Sequence, residues 1–438
     1  VRRSRAALGA LAVLLALPVA PAAAAPTAVV DLGGSREYVR ADAVSVLAAV
    51  DLYVSAGLAR ETAEQNGLAA LVAESVLQTP VARAQRGGSP PPVALTDAID
   101  ACGASVAYAI TPQNVRFSLQ GTPEAIAAAA PLLARALAAP SFDPATLAAA
   151  RAALADRIAD QEADARFVGL QMLRSSYYLA GAGFPAFGNA GSLSAFGPAD
   201  AQAFFTHWYL RGGAFLTAVG RTGPVTVAAG RALIGALPPG TVAPAALAAR
   251  PFGAEPKRIV TQRKVVAPYV VVGFAAPPIG DADFAAAWVF RTLLAGVFER
   301  GDATTPPPLL RTVGSLYGYD TAPSQFVLWI NGSQIDPSVG LGAVIALVKG
   351  AATKPMSAAI LGRYKETARG EWSFETLSLD DRAAALGNAV ARGLDADAAD
   401  TVPSAIDGVT AADLQRVAKK YFQKFDVALV LPRGSDGG

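Results

Sequence analysis

The sequence predicts an α+β chain of two similar domains, each an antiparallel or mixed sheet flanked by helices. Three observations lead there. Each half runs in the same order: strand, helix, short helix, hairpin, helices, strand. A turn-rich joint, Leu237–Lys257, holding PPG, VAP and RPFG, separates the halves. The 438 residues are enough for two or three domains with sizeable cores. The expected organisation is a leader at 1–25, a first domain at 26–236, a linker at 237–257 and a second domain at 258–438.

Arg2, Arg3 and Arg5 precede the apolar run Ala6–Ala20 and the small residues up to Ala25. That order is a basic region, a hydrophobic region and a small-residue cleavage site, so a signal peptide cut near Ala25 is expected. The run is short for a membrane span. Val44–Ser55, VSVLAAVDLYVS, reads as a buried strand, central in its sheet. Glu64–Pro80 reads as a loop, a cap at Asn66 and an amphipathic helix, with Leu68, Leu71, Val72, Ser75 and Val76 at helical spacing. Ala82–Pro91 is a turn-rich loop and Leu95–Ala101 a short helix. Ser105–Ile110 and Val115–Gln120 alternate as strands, with TPQN between them as a hairpin turn. Pro123–Leu137 is a helix. Asp143-Pro144 is a cap followed by proline at the first helical position, opening a long helix to Tyr177. Gly181–Gly197 is irregular, Pro198–Tyr209 a helix and Ala214–Val219 a strand.

In the second half, Val265–Phe274 reads as a strand and Asp281–Phe298 as a helix. Pro306–Arg311 introduces a short helix, and Leu316–Tyr319 and Gln325–Ile330 are strand-like. Pro337–Val348, Ser357–Arg369, Leu377–Ala391 and Thr410–Phe422 are helical, and Asp426–Leu431 is a last strand.

Hydrophobic residues make up 53% and charged residues 16%, the apolar excess being mostly alanine. Lysine and arginine number 37 against 35 acidic groups. Loss of the three leader arginines leaves 34 against 35, so no global field attracts nucleic acid. Later apolar runs are broken by Gly, Pro or charge, which implies no integral membrane segment. Cys102 is the only cysteine, so no intramolecular disulfide forms. An exported chain without disulfides fits the periplasm of a Gram-negative bacterium.

Few residues offer chemistry. His207 is the only histidine and sits between aromatics in FFTHWY, which suits a packing or capping role. Neither His207 nor Cys102 has a ligand neighbour at useful spacing. There is no Gly-x-Ser-x-Gly elbow and no phosphate loop with a lysine. Glu74 is the single carboxylate inside the Leu68–Leu77 helix. Positions four apart share a helix face, and its i−4 neighbour is Ala70.

GLAALVAES at Gly67–Ser75 resembles the zinc helix of the M16 metallopeptidases, the insulinase, pitrilysin and mitochondrial processing peptidase group. That helix is described by His-x-x-Glu-His after a Gly-x-Ala lead-in, which is Gly67-Leu68-Ala69 here. The resemblance puts the first histidine at Ala70, the glutamate at Ala73 and the second histidine at Glu74. The third ligand, a later glutamate, falls at about Ala150. It therefore implies a zinc site emptied of its ligands: no metal in this chain, and zinc only in a partner. It also implies two similar domains facing each other across a cleft. In the second half, LLRTVGSLYGY resembles the family's arginine–tyrosine segment, which holds the substrate backbone and donates to the attacked carbonyl. Arg311 matches the arginine; Tyr317 matches the tyrosine, with Tyr319 as the alternative register.

The function these features imply is a non-catalytic subunit of a periplasmic heterodimeric M16-type peptidase. It would bind peptide and lend Arg311 and Tyr317 to a partner with an intact His-x-x-Glu-His. Peptide would pair with the strand edge beside the former zinc helix. The alternatives are a stand-alone peptide-binding or scaffold protein, and an enzyme with an unrecognised metal-free site.

Overall fold

The computed structural model describes residues 26–82, 91–253, 255–300, 312–318, 321–331 and 337–433. The first half is built on six strands: β1 (Ala28–Asp31), β2 (Arg36–Ala41), β3 (Ala48–Val54), β6 (Ser105–Ile110), β7 (Val115–Gly121) and β8 (Ala214–Gly220), with the two-residue strands β4 (Pro80–Val81) and β5 (Val93–Ala94) forming a separate ladder. The sheet order is β1-β2-β8-β3-β7-β6. Only β2 and β8 run parallel; the other pairs are antiparallel. Every residue of β3 is buried, as suits a strand with partners on both sides and helices on both faces. It starts at Ala48 rather than Val44, because Val44, Val46 and Leu47 are exposed. The β6–β7 hairpin closes through Thr111–Asn114, where backbone and threonine hydroxyl bonds form the expected turn.

The helices of this half are α1 (Leu68–Gln78), α2 (Leu95–Asp100), α3 (Pro123–Ala138), α4 (Pro144–Ala163), α5 (Ala165–Tyr177), α6 (Ala190–Ala195), α7 (Pro198–Trp208) and α8 (Pro224–Ala236). The single long helix expected from Pro144 to Tyr177 is broken at Asp164, whose backbone is extended (φ −86°, ψ 104°). Its side chain accepts the Arg166 and Phe167 N–H groups at 2.8 and 3.3 Å and so starts α5 as a cap. Six elements of this half lie outside the sequence expectations: β1, β2, β4, β5, α6 and α8. Helix α8 packs on α3 and stacks Leu233 and Ile234 into the main core.

The second half carries β9 (Arg258–Arg263), β10 (Tyr269–Ala276), β11 (Thr312–Tyr317), β12 (Ser324–Asn331) and β13 (Phe425–Pro432), in the order β11-β12-β10-β13-β9. Here β9 and β13 are the parallel pair. The strand expected at Val265 starts at Tyr269, and β9 precedes it. Helices α9 (Phe284–Arg300), α10 (Pro337–Thr353), α11 (Ala358–Glu375), α12 (Leu379–Ala391), α13 (Val402–Gly408) and α14 (Ala411–Lys420) complete it. The expected helix at Pro306–Arg311 lies outside the described residues. The two sheets share one plan: β2, β8, β3, β7 and β6 correspond in order to β9, β13, β10, β12 and β11.

Each half covers the other's sheet. Helix α5 of the first half lies on β10 and β13, with Leu173 buried among Val271, Val327 and Ala428. Helix α12 of the second half lies on β3 and β8, with Ala383 and Leu386 against Ala49 and Val219. Charge pairs seal the seam. Arg116 meets Asp380 at 3.0 Å and buried Asp51 at 3.4 Å, Arg382 meets Asp42 at 2.9 Å, and Arg40 pairs with Asp397 and Asp400. Among the described residues, no helix is long and apolar enough to cross a membrane.

Candidate functional site

Helix α1 is the place to look, because it carries the positions that a metal site would need. Its start is set by Gly67, whose φ of 100° is a left-handed backbone that favours glycine. Glu61 does the capping, not Asn66: its carboxylate accepts the Ala69 N–H at 2.7 Å and the Gly67 N–H at 3.2 Å. Asn66 instead donates to Glu61 and to the Pro185 carbonyl, both at 3.0 Å. Burial pushes the Glu61 carboxyl up to about 7, against the pull of these donors.

Along α1, Ala70 and Ala73 are fully buried and Glu74 is 3% exposed. Helix α4 packs across them and contributes Ala150, also fully buried. Ala70, Ala73 and Ala150 belong to one buried core cluster, Glu74 is buried on the same helix as the first two, and none of the four is presented to solvent. Tight packing of small side chains is the reason: alanines at these places let α1 and α4 approach closely.

Glu74 is not left bare. Gln78 donates to it at 2.9 Å, and the Arg157 guanidinium, two turns beyond Ala150 on α4, lies 3.3 Å from its other oxygen. Arg157 in turn sits 4.9 Å above the Tyr108 ring and 5.5 Å from that of Phe187. Burial first, and the charge of Glu74 second, raise the Tyr108 phenol well above its ordinary value. Sequence reasoning missed Arg157 and Tyr108. The signal for Arg157 was its spacing of seven from Ala150, which returns it to the same helix face.

These positions do not suit zinc. A catalytic zinc needs three protein ligands and an open position. Here one carboxylate is present, and a guanidinium already neutralises it. Among the described residues, no three His, Cys, Asp or Glu side chains gather into a group that could hold a metal ion. His207 is exposed at the end of α7, edge-on to Trp208 at 4.3 Å. Cys102 is half-buried, with its sulfur near the Ala98 carbonyl at 3.4 Å.

In the second half, Tyr317 ends β11 with its ring in the core. It stacks on Trp288 at 6.0 Å, lies 5.6 Å from Phe284, and its hydroxyl donates to the Pro277 carbonyl. Burial drives this phenol well above its ordinary value. Strand alternation explains the placement: Leu316 is exposed, so Tyr317 faces inward. In this structure Tyr317 therefore does not reach out toward a substrate. Arg311 and Tyr319 lie outside the described residues.

The strand edge nearest α1 is β6, the last strand of the first sheet. Its outer side has no partner among the described residues, and most of its side chains are partly exposed.

No family model and no curated protein sequence matches the chain. Solved structures do. A protease from Helicobacter pylori superimposes with a TM-score of 0.78 at 14% identity, over 93% of this chain and 99% of the other. A peptidase M16 inactive domain from Pseudomonas fluorescens gives 0.76 at 16% identity, over 94% and 99%. A putative M16-like peptidase from Alicyclobacillus acidocaldarius gives 0.71 at 14%, over 93% and 98%. The chain has the M16 peptidase fold. The likeness spans both halves, so the expected α+β pair of similar domains is the observed architecture. The segment that resembles the zinc helix is α1, and the positions that the resemblance assigns to metal ligands hold alanine and an ion-paired glutamate.

Proposed function

We propose that this chain is a non-catalytic, zinc-free subunit of an M16-type heterodimeric peptidase, exported to the periplasm. Its partner would carry an intact His-x-x-Glu-His and the zinc. This chain would help to hold peptide, through the β6 edge and through Arg311, with Tyr319 as the tyrosine register that Tyr317 does not fill. The observation that carries the reading is that Ala70, Ala73 and Ala150 are fully buried in one core cluster and Glu74 is already paired with Arg157. A chain that hydrolysed peptides with its own metal would keep ligands there. The fold shared with an inactive M16 domain supports it as well. Export is supported by the order of charge and apolar residues in 1–25.

The test is reconstitution. The purified chain is mixed with an M16-type protein that has the intact motif and is encoded beside it. Peptidase activity is expected to exceed the sum of the separate proteins, and Arg311→Ala is expected to lower kcat/KM of the mixture about tenfold or more while this chain stays folded. No gain on mixing would sink the subunit reading. An unchanged kcat/KM with Arg311→Ala would remove that residue alone. The second reading is a stand-alone peptide-binding or scaffold protein. The burial of Tyr317 favours it, since that phenol is withdrawn from any trans site. Peptide binding at the β6 edge together with no activation of any zinc-bearing partner would decide for it.

A further inference from the structure

Strand β9 ends the second sheet and has no outer neighbour among the described residues. Its counterpart in the first sheet, β2, is covered by β1 over Arg36–Val39. Nothing described plays that part for β9. The Lys257 carbonyl accepts from Val427 N–H at 2.9 Å and the Arg263 carbonyl from Arg433 N–H at 2.8 Å, both toward the β13 side. Alternation then turns the N–H and C=O groups of Arg258, Val260 and Gln262 outward. Such an edge is a template for an added strand.

Two further features say what would be added. Along KRIVTQRK, the cations Lys257, Arg258, Arg263 and Lys264 are all exposed, and none makes an ion pair among the described residues. On the face toward α5, Lys257, Ile259 and Arg263 line a cavity of about 480 Å³, with Ile158, Phe167 and Met172 as its apolar wall. That volume lies within the roughly 300–1,000 Å³ of ligand clefts. Glu162 is the only carboxylate lining it, against two cations.

We propose that β9 captures an extended acidic peptide segment. Its backbone adds as an outer strand on residues 258, 260 and 262, one apolar side chain enters the cavity, and its carboxylates meet the four cations. A second copy of this chain is a poor occupant, because pairing β9 with β9 would set like charges side by side. This site is separate from the β6 edge and needs no zinc-bearing partner, so its failure would leave the proposed function standing.

The test uses the chain alone and fluorescence anisotropy at low salt. The probe is a short fluorescein-labelled peptide alternating Glu with Val or Leu, and a counterpart has Lys for every Glu. The acidic peptide is expected to bind at least about tenfold tighter than the basic one, with affinity falling as salt rises. Val260→Pro removes one outward N–H and leaves the β13 ladder intact; it is expected to abolish binding with an unchanged thermal melt. Arg258→Glu with Lys264→Glu, both exposed, is expected to weaken binding about tenfold or more. Equal affinity for the two peptides, or full affinity in Val260→Pro, would overturn the proposal. So would no binding at low salt, which would mean that the cations only guard the edge, or self-association that Val260→Pro abolishes, which would make a second copy the occupant.

Discussion

Glu74 is a carboxylate 3% exposed on α1, and its charge is met by Arg157 and by a bond from Gln78. Removing one partner of such a pair leaves the other charge buried and uncompensated. Arg157→Ala is therefore expected to destabilise the chain by about 1–3 kcal/mol, less than for a fully buried pair because the Arg157 side chain is 41% exposed. Adding Glu74→Gln removes the stranded charge and keeps the Gln78 bond, so it is expected to recover most of the loss. Denaturant melts of the parent and the two variants measure this, and a double variant no more stable than Arg157→Ala would show the pair to be unimportant. Glu37 is the opposite case. It is fully buried on β2, its oxygens have no hydrogen-bond partner, and Gly230 of α8 lies against it. Burial raises its carboxyl from 4.5 to about 7, with the Arg231 charge pulling it back. The folded state thus holds a proton that the unfolded state gives up near 4.5. Its stabilising contribution is complete below that pH and is lost as pH rises through about 7. Glu37→Gln is expected to match the parent in thermal stability near pH 4.5 and to exceed it at pH 8 by roughly 1–3 kcal/mol. Equal melting of the two proteins at pH 8 would refute this.

Helix α1, the β6–β7 hairpin and the strands β8 and β13 were legible from sequence because their apolar spacing and turn residues agree with their final surroundings. Several other features were not, and three of them show why. The apolar positions Leu154, Ile158, Phe167 and Leu170 continue at helical spacing through Asp164, so nothing in the periodicity marks the break between α4 and α5. The break is a capping event, and one aspartate in a charged run does not announce it. Helix α8, VTVAAGRALIGA after Pro224, has no expected element in the sequence, and its burial against α3 is what makes it one. Strand β9 has no expected element in the sequence, because its basic residues flank only four uncharged positions. At the candidate site, the alanines at 70, 73 and 150 and the lone Glu74 could be read directly from the sequence. The filling of the site could not: Arg157 is six residues beyond Arg151, and sequence does not say which arginine turns inward. Tyr317 was misplaced for a related reason. Strand register decides which of Leu316 and Tyr317 is buried, and a one-residue shift reverses it.

At the scale of the whole molecule, the exchanged helices make two similar halves into one unit. Domains joined only by a linker and a modest interface move and melt separately. Here α5 covers the face of the second sheet opposite its main core, and α12 covers the corresponding face of the first. Neither half retains a covered sheet without the other, so a single calorimetric transition is expected for the chain. Gly387 is the point at which this can be tested. It sits in α12 directly over Tyr53, and a Cβ built there would lie 2.1 Å from the tyrosine hydroxyl and ring. Tyr53 cannot retreat, because it is buried in central strand β3 and stacked on Phe215 at 4.6 Å. Gly387→Leu must therefore lift α12 off the sheet, opening the Arg116–Asp380 contact at the same seam. The expected cost is about 1–3 kcal/mol or more, with the single transition splitting into two as the first half loses its cover. Gly370→Ala, in α11 with open space around it, is the control and is expected to leave one transition at the same or slightly higher temperature. A Gly387→Leu protein that still melts in one step, at the parent temperature, would show that α12 is not what binds the halves together.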